Sequence, residues 1–316
     1  MSIKYSVFLP TGFLLDFMGY EDPIAAHDRM TEIAKIADET GFESLWLADQ
    51  LTPAFPFQAP MFESWVTLGG LARDTERIRI GNMVTGNRYR NPALIAKMAS
   101  TLDIQSKGRL NFGIGAGWFE NDFKQFGYDF GDTPERLRRL EESVQIIRGM
   151  WTEEEFSFEG KYYSVDKAIN QPKGAQDRIP LLIAGGGEKV TLKLVAKYGD
   201  GCNINESVEG LAHKYAVLKQ HCETVGRDYN EILRTASSLC IIADTDEAAE
   251  ADLPQWVQAI YPGDAAKYLL VGTPDTIRER LAAYEAIGVQ ELAITFAQAV
   301  DNPDVLRQFA AEFINK

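Results

Sequence analysis

The chain has 316 residues, 45% of them hydrophobic and 25% charged, and its 32 Lys and Arg against 46 Asp and Glu give a formal net charge of −14. A surface this acidic repels phosphate backbones and anionic membranes, so neither nucleic acid nor a membrane is an expected partner. Cys202, Cys222 and Cys240 form no CxxC pair and are too few for a disulfide framework, so they read as ordinary buried thiols of a reducing compartment rather than as a metal centre.

From the start of the chain, residues 1–9 hold one Lys and a short apolar run that stops at Pro10, too short for a secretory leader. No apolar stretch nears the roughly 20 residues of a membrane span, and a cytoplasmic protein is expected. Eight short apolar or β-branched runs then follow, at residues 5–9, 45–48, 78–84, 110–114, 181–184, 202–204, 239–242 and 292–296. Each precedes a polar turn and a segment of helical period, and each reads as a buried strand of a parallel sheet. Between them, Met30, Ile33, Ala34 and Ala37 recur at i, i+3, i+4 and i+7, as do Ile95, Met98, Ala99 and Leu102, so both helices have one face for the sheet. Thr133-Pro134 and Thr273-Pro274 read as hydroxyl N-caps followed by Pro at the first helical position, with Gly288 closing the second helix.

Two stretches exceed the minimal strand–helix repeat. Residues 118–180 include Phe156 to Tyr163, which reads as an aromatic hairpin turning at Glu159-Gly160, and residues 244–273 are acidic and then loop-like at Tyr261-Pro262-Gly263-Asp264. Eight parallel strands suggest closure into one α/β unit, a single (β/α)8 TIM barrel over residues 1–316, with both insertions expected over its C-terminal mouth.

Four strand ends carry the candidate chemistry. Asp49 and Gln50 follow the second strand, where an acidic side chain either points into the barrel mouth or caps the next turn. Met83, Val84 and Thr85 lie between Gly81 and Gly86, where backbone can approach a flat ring or simply turn tightly. Gly113, Gly115 and Gly117, with Ala116 and then Trp118, have a GxGxG spacing that is wrong for a dinucleotide fingerprint and follow three strands rather than the first, so the small residues of this fourth strand and its end read as clearing space for a ring. Gly185, Gly186 and Gly187 lead into a helix, where backbone N–H groups and the helix dipole suit a phosphate.

These segments, in this order, resemble the luciferase-like oxidoreductases over nearly the whole chain, and most closely the branch that uses coenzyme F420, a deazaflavin with a phosphate and glutamate tail. The resemblance implies that Asp49 faces the ring and that Met83-Val84 forms a bulge, often a non-prolyl cis peptide, supporting one ring face. It places Gly115, Ala116 and Gly117 beside the cofactor and Gly185, Gly186 and Gly187 on its phosphate. Many relatives have Asp-His where this chain has Asp49-Gln50, and Gln50 cannot act as a general acid or base. Relatives acting on sugar phosphates place a Glu soon after the fourth strand, where this chain has Trp118.

The expected activity is hydride transfer between F420 and a small organic substrate, with Asp49, Gln50 and Trp118 as candidate catalytic residues and no metal. The alternatives are an FMN-dependent monooxygenase fed by a separate flavin reductase, and a non-catalytic flavin-binding barrel. Phe13, Phe17, Phe55, Phe57, Trp118 and Trp256 suggest an apolar or planar substrate, though core packing explains several of them as well. A homodimer is implied by the resemblance, with residues 62–71 as part of its contact.

Overall fold

Each apolar run becomes a strand in the computed structural model, which describes residues 3–315; the two ends of the expected 1–316 domain lie outside the described residues. The strands are Lys4–Phe8 (β1), Ser44–Leu47 (β2), Arg79–Asn82 (β3), Thr85–Gly86 (β4), Phe112–Gly115 (β5), Phe156–Glu159 (β6), Ser164–Ala168 (β7), Leu181–Ala184 (β8), Gly201–Ile204 (β9), Leu233–Ile242 (β10), Leu270–Gly272 (β11) and Glu291–Phe296 (β12). In the main sheet the order is β3-β2-β1-β12-β10-β9-β8-β5-β4, every pairing is parallel, and β11 extends it beside the end of β10. A parallel bridge between Ile80 and Leu110 joins β3 to the chain entering β5, and with it the sheet returns on itself as a (β/α)8 barrel.

Helices Pro23–Thr40 (α1), Ser64–Asp74 (α2), Pro92–Gln105 (α3), Glu120–Gln125 (α4), Thr133–Thr152 (α5), Thr191–Tyr198 (α6) and Val208–Val225 (α7) cover the outside with others that follow. The stripe Met30, Ile33, Ala34 and Ala37 is fully buried, as periodicity requires of a helix laid on a sheet. A smaller cluster of Trp46, Met83, Leu182 and Ala293, with Phe8 and Val84 against it, fills the barrel interior.

Three expectations need correction. The seventh strand begins at Leu233, six residues before the apolar run at 239–242. Its first half reads as polar because Thr235 and Ser237 share a buried network: Asn203 Nδ2 donates to Thr235 Oγ1 at 3.0 Å and Ser237 Oγ donates to Asn203 Oδ1 at 3.3 Å. Helix α5 is capped by Asp132, which accepts from Glu135 N, so Thr133 is its first residue; Thr273 does cap the later helix Pro274–Ala286.

The insertion 118–180 does not lie over the mouth as one piece. Trp118 and Phe119 line the mouth, but the β6–β7 hairpin packs along α5, where Glu142 accepts the backbone N–H groups of Lys161, Tyr162 and Tyr163 and the Phe156 ring occupies the space beside Gly149. A carboxylate that accepts three backbone N–H groups of the turn fixes the hairpin to the helix. From the insertion at 244–273, Trp256, Ala259, Ile260 and Tyr261 do reach the mouth.

Candidate active site

The C-terminal ends of the strands surround a cavity of about 830 Å³. One wall is the bulge between β3 and β4, where the Met83–Val84 peptide is cis. A Cβ on Gly113 would stand 2.9 Å from Val84 Cγ1, and one on Gly115 would stand 2.8 Å from Val84 Cγ2. Gly113 is bare first because a Cβ there would collide with the Asn82 carbonyl oxygen, with Val84 behind it, and Gly115 because Val84 occupies its side-chain space. Gly115 lines the cavity itself and also leaves room for Val84 on the cavity wall.

Two buried carboxylates hold the loops around this bulge. Asp49, at the end of β2, accepts from Ser64 Oγ at 2.5 Å, from Gly86 N at 2.9 Å and from both arms of Arg90, at 2.8 and 3.0 Å. Arg90 also bonds Glu63, the cap of α2. Burial holds the Asp49 carboxyl above its ordinary range even though Arg90, Ser64 and the Gly86 N–H pull it down, while Arg90 is held above its own ordinary range by Asp49 and Glu63 despite its burial. With four donors on two oxygens, Asp49 has its acceptor positions filled by the protein. It lines the cavity and ties β2 to β4 and α2.

The second carboxylate, Asp122 of α4, is fully buried and accepts from Leu51 N at 2.8 Å, Thr52 N at 2.9 Å, Thr52 Oγ1 at 2.5 Å and Tyr89 Oη at 2.7 Å. Burial and the bond to Asp122 both drive the Tyr89 hydroxyl well above its ordinary range, so it stays protonated as a donor. Gln50 lies between these two anchors, lines the cavity, and among the described residues has no hydrogen-bond partner for its carboxamide. Its backbone is held between these anchors on both sides.

At the bulge, Thr85 Oγ1 is buried without a partner and Thr85 lines the cavity. A buried unpaired hydroxyl costs about 1–3 kcal/mol, which a ligand with a polar edge would recover. Across the cavity, Gly185 has φ +122°, a conformation open to glycine, and lies against the buried Thr191 at the start of α6. Of the three expected glycines Gly185 lines the cavity, whereas Gly186 and Gly187 are not among its lining residues. Ala116, Gly117 and Trp118 line it as expected, and Phe13, Trp118 and Phe119 meet edge-on or tilted with centroids 5.4–6.3 Å apart. Of the charged residues lining the cavity, all three are acidic, Asp16, Asp49 and Asp301, with no Lys, Arg or His among the described lining residues.

The sequence reading missed Ser64, Arg90, Tyr89, Asp122 and Thr191. Arg90 and Tyr89 stand in the stretch after Gly86, yet nothing in their spacing pairs them with residues 41 positions before or 33 after.

Comparison with known proteins agrees with this architecture. A solved F420-dependent secondary alcohol dehydrogenase in complex with an F420-acetone adduct superposes with a TM-score of 0.83 over 98% of both chains, at 21% identity. The chain is 32% identical over 214 residues to an F420-dependent glucose-6-phosphate dehydrogenase of Kineococcus radiotolerans, covering 66% of this chain but only 63% of the relative. It is 28% identical over 296 residues to an FMNH(2)-dependent dimethylsulfone monooxygenase of Pseudomonas putida, covering 83% of this chain and 81% of that one. The family model for luciferase-like monooxygenases matches residues 3–269, and the chain belongs to that family.

Proposed function

We propose that this protein is an F420-dependent oxidoreductase acting on a small, uncharged and largely apolar molecule. The observation that carries the reading is the division of the cavity: one wall is the Val84 bulge with the unpartnered Thr85 hydroxyl, and the opposite mouth is aromatic and free of cations. F420-dependent dehydrogenases among the relatives support the cofactor. The residues fit it, because Val84 offers a flat apolar support, Thr85 a polar contact at the ring edge, and Gly185 with Thr191 an anion contact at the start of a helix.

When bound, the deazaflavin supplies the hydride chemistry at its ring, and the protein supplies position and environment. Val84, on the cavity wall, would support the ring of the bound cofactor. Gln50, fixed between Asp49 and Asp122, donates or accepts one hydrogen bond at the polar atom of the substrate and cannot take a proton from it. Phe13, Trp118 and Phe119 cover the substrate and exclude water. With no lining cation and three acidic groups, the site disfavours a phosphorylated sugar, whatever the substrate of the relatives named for glucose 6-phosphate.

The FMN reading retains one specific support, the longer alignment with the dimethylsulfone monooxygenase. Titrating the protein with F420 and with FMN side by side, followed by fluorescence quenching, separates the two: F420 binding at least ten times tighter is expected, and the reverse order would replace this proposal with an FMN-dependent monooxygenase working with a separate flavin reductase. We further propose a homodimer in the cytoplasm.

A further inference from the structure

Just outside the cavity, beyond Gly185, the rim carries a cluster of basic groups in a chain whose net charge is −14. Lys214 of α7 has its Cε 3.6 Å from the place a Gly186 Cβ would occupy, and its side chain is only 20% exposed. Its Nζ donates to Glu188 Oε1 at 2.5 Å, and His213 Nε2 lies 3.2 Å from the same oxygen. His221 Nε2 meets Glu188 O at 2.8 Å, and the exposed Lys189 follows at once. Glu188 thus puts one carboxylate on a cation that sits against the glycine loop, while Thr191, buried and lining the cavity, points to the same corner from the start of α6.

We infer that the Glu188–Lys214 pair is a displaceable latch, in which the anionic tail of the cofactor leaves the cavity past Gly185 and takes the place of the Glu188 carboxylate on Lys214. This rests on the F420 reading, since that cofactor carries a phosphate followed by glutamates. Among the described residues the cavity lining has no cation, and Lys214 stands against the glycine loop beyond it, so a tail of several negative charges finds a counter-charge there. Glu188 lies on the surface and its carboxyl is held below the usual range by the bond from Lys214 and by His213, so it is the anion already occupying the position the tail requires. The sign of its effect follows: Lys214 favours the tail, and Glu188 competes with it.

The test measures dissociation constants by fluorescence quenching for the wild type, Lys214→Met and Glu188→Gln. The ligands are F420 with several glutamates, its form with the phosphate and no glutamate, and the bare deazaflavin riboside. Lys214→Met is expected to weaken the tailed form about tenfold, or about 1.4 kcal/mol, and to leave the riboside unchanged. Glu188→Gln is expected to tighten the tailed form by about threefold, an exposed ion pair being worth up to about 1 kcal/mol, with the gain fading at high salt. A response from the phosphate-only form assigns the phosphate as the anion that is read; a response confined to the glutamylated form assigns the tail carboxylates. Weaker binding in Glu188→Gln, or an equal loss of riboside binding in Lys214→Met, makes the pair a structural strut and overturns the inference. If the wild type binds none of the three deazaflavins, the F420 reading itself fails, an outcome distinct from either.

Discussion

At the scale of single residues, the site is built on atoms that fill or vacate small volumes. Gly115→Ala would bring a Cβ to 2.8 Å from Val84 Cγ2, so Val84 must shift from its place on the cavity wall. Cofactor affinity is expected to fall about tenfold with the melting temperature changed little, as read by quenching and calorimetry together. Gly185 and Gly186 separate in the same way. An alanine at 185 is strained at φ +122°, at a cost of about 1–3 kcal/mol, whereas at 186 it meets only ordinary contacts at 3.5 and 3.6 Å. Gly185→Ala is therefore expected to weaken F420 binding and Gly186→Ala to leave it nearly intact; equal effects would mean the loop approaches the ligand through Gly186 instead. For Asp122→Ala, four donors including two backbone N–H groups lose a buried acceptor, and a loss of about 3 kcal/mol or more in denaturant unfolding is expected.

At the scale of elements, the apolar strands were legible because a buried parallel strand has to be apolar on both faces, and the helices because one face has to be. The first half of β10 escaped for the converse reason: its polar residues are satisfied by Asn203, a partner 32 and 34 positions away that no local pattern announces. The hairpin was legible as a hairpin and not in its place, since its turn chemistry is local while its anchor, Glu142, is tertiary. In the site, strand ends could be found from glycine and small residues, but the roles of Asp49 and Gly115 depended on Arg90 and Val84, which only the fold brings near. A third such long-range anchor is Asp200, which accepts from Arg148 at 2.5 Å, from Arg178 at 2.7 Å and from Leu181 N at 2.9 Å, tying α5 to the start of β8. Burial opposes its charge, yet Arg178, Arg148 and the Leu181 N–H prevail and hold its carboxyl below the usual range. A depressed folded value gives stability that is present above the unfolded value of about 3.9 and is lost as pH falls through the folded one. The stability gap between wild type and Asp200→Asn is thus expected to be about 2 kcal/mol at pH 7 and to shrink below pH 4; a gap independent of pH would show that the carboxylate charge plays no part.

At the scale of the whole molecule, the barrel leaves large aliphatic side chains exposed at the start of three successive helices. Ile24 in the first turn of α1, Val66 in that of α2 and Leu94 in that of α3 are 70%, 79% and 54% exposed, and these three helices follow one another around the barrel. Gly70 of α2 has open space where a Cβ would stand, and a Cβ at Gly69 would meet only Gln105 Oε1, at 3.6 Å, so a partner backbone could approach α2 closely. Single exposed aliphatics need no explanation, but one in the first turn of each of three successive helices gives that end of α1, α2 and α3 an apolar character that a partner could cover. A second copy of this chain is the occupant we expect, because a two-fold axis beside α2 would bring Val66 and its neighbours onto the same patch of the partner. A stable dimer requires about 1,200–2,000 Å² of buried surface, more than these three side chains supply, so the contact must extend along α2 and α3. Val66→Glu and Leu94→Glu place charges at its centre without touching the cavity. Each is expected to convert a dimer to a monomer near 35.3 kDa by light scattering, with F420 affinity unchanged because neither residue lines the cavity. A wild type that is already monomeric across micromolar concentrations removes the dimer, and a double variant that stays dimeric moves the interface to another face of the barrel.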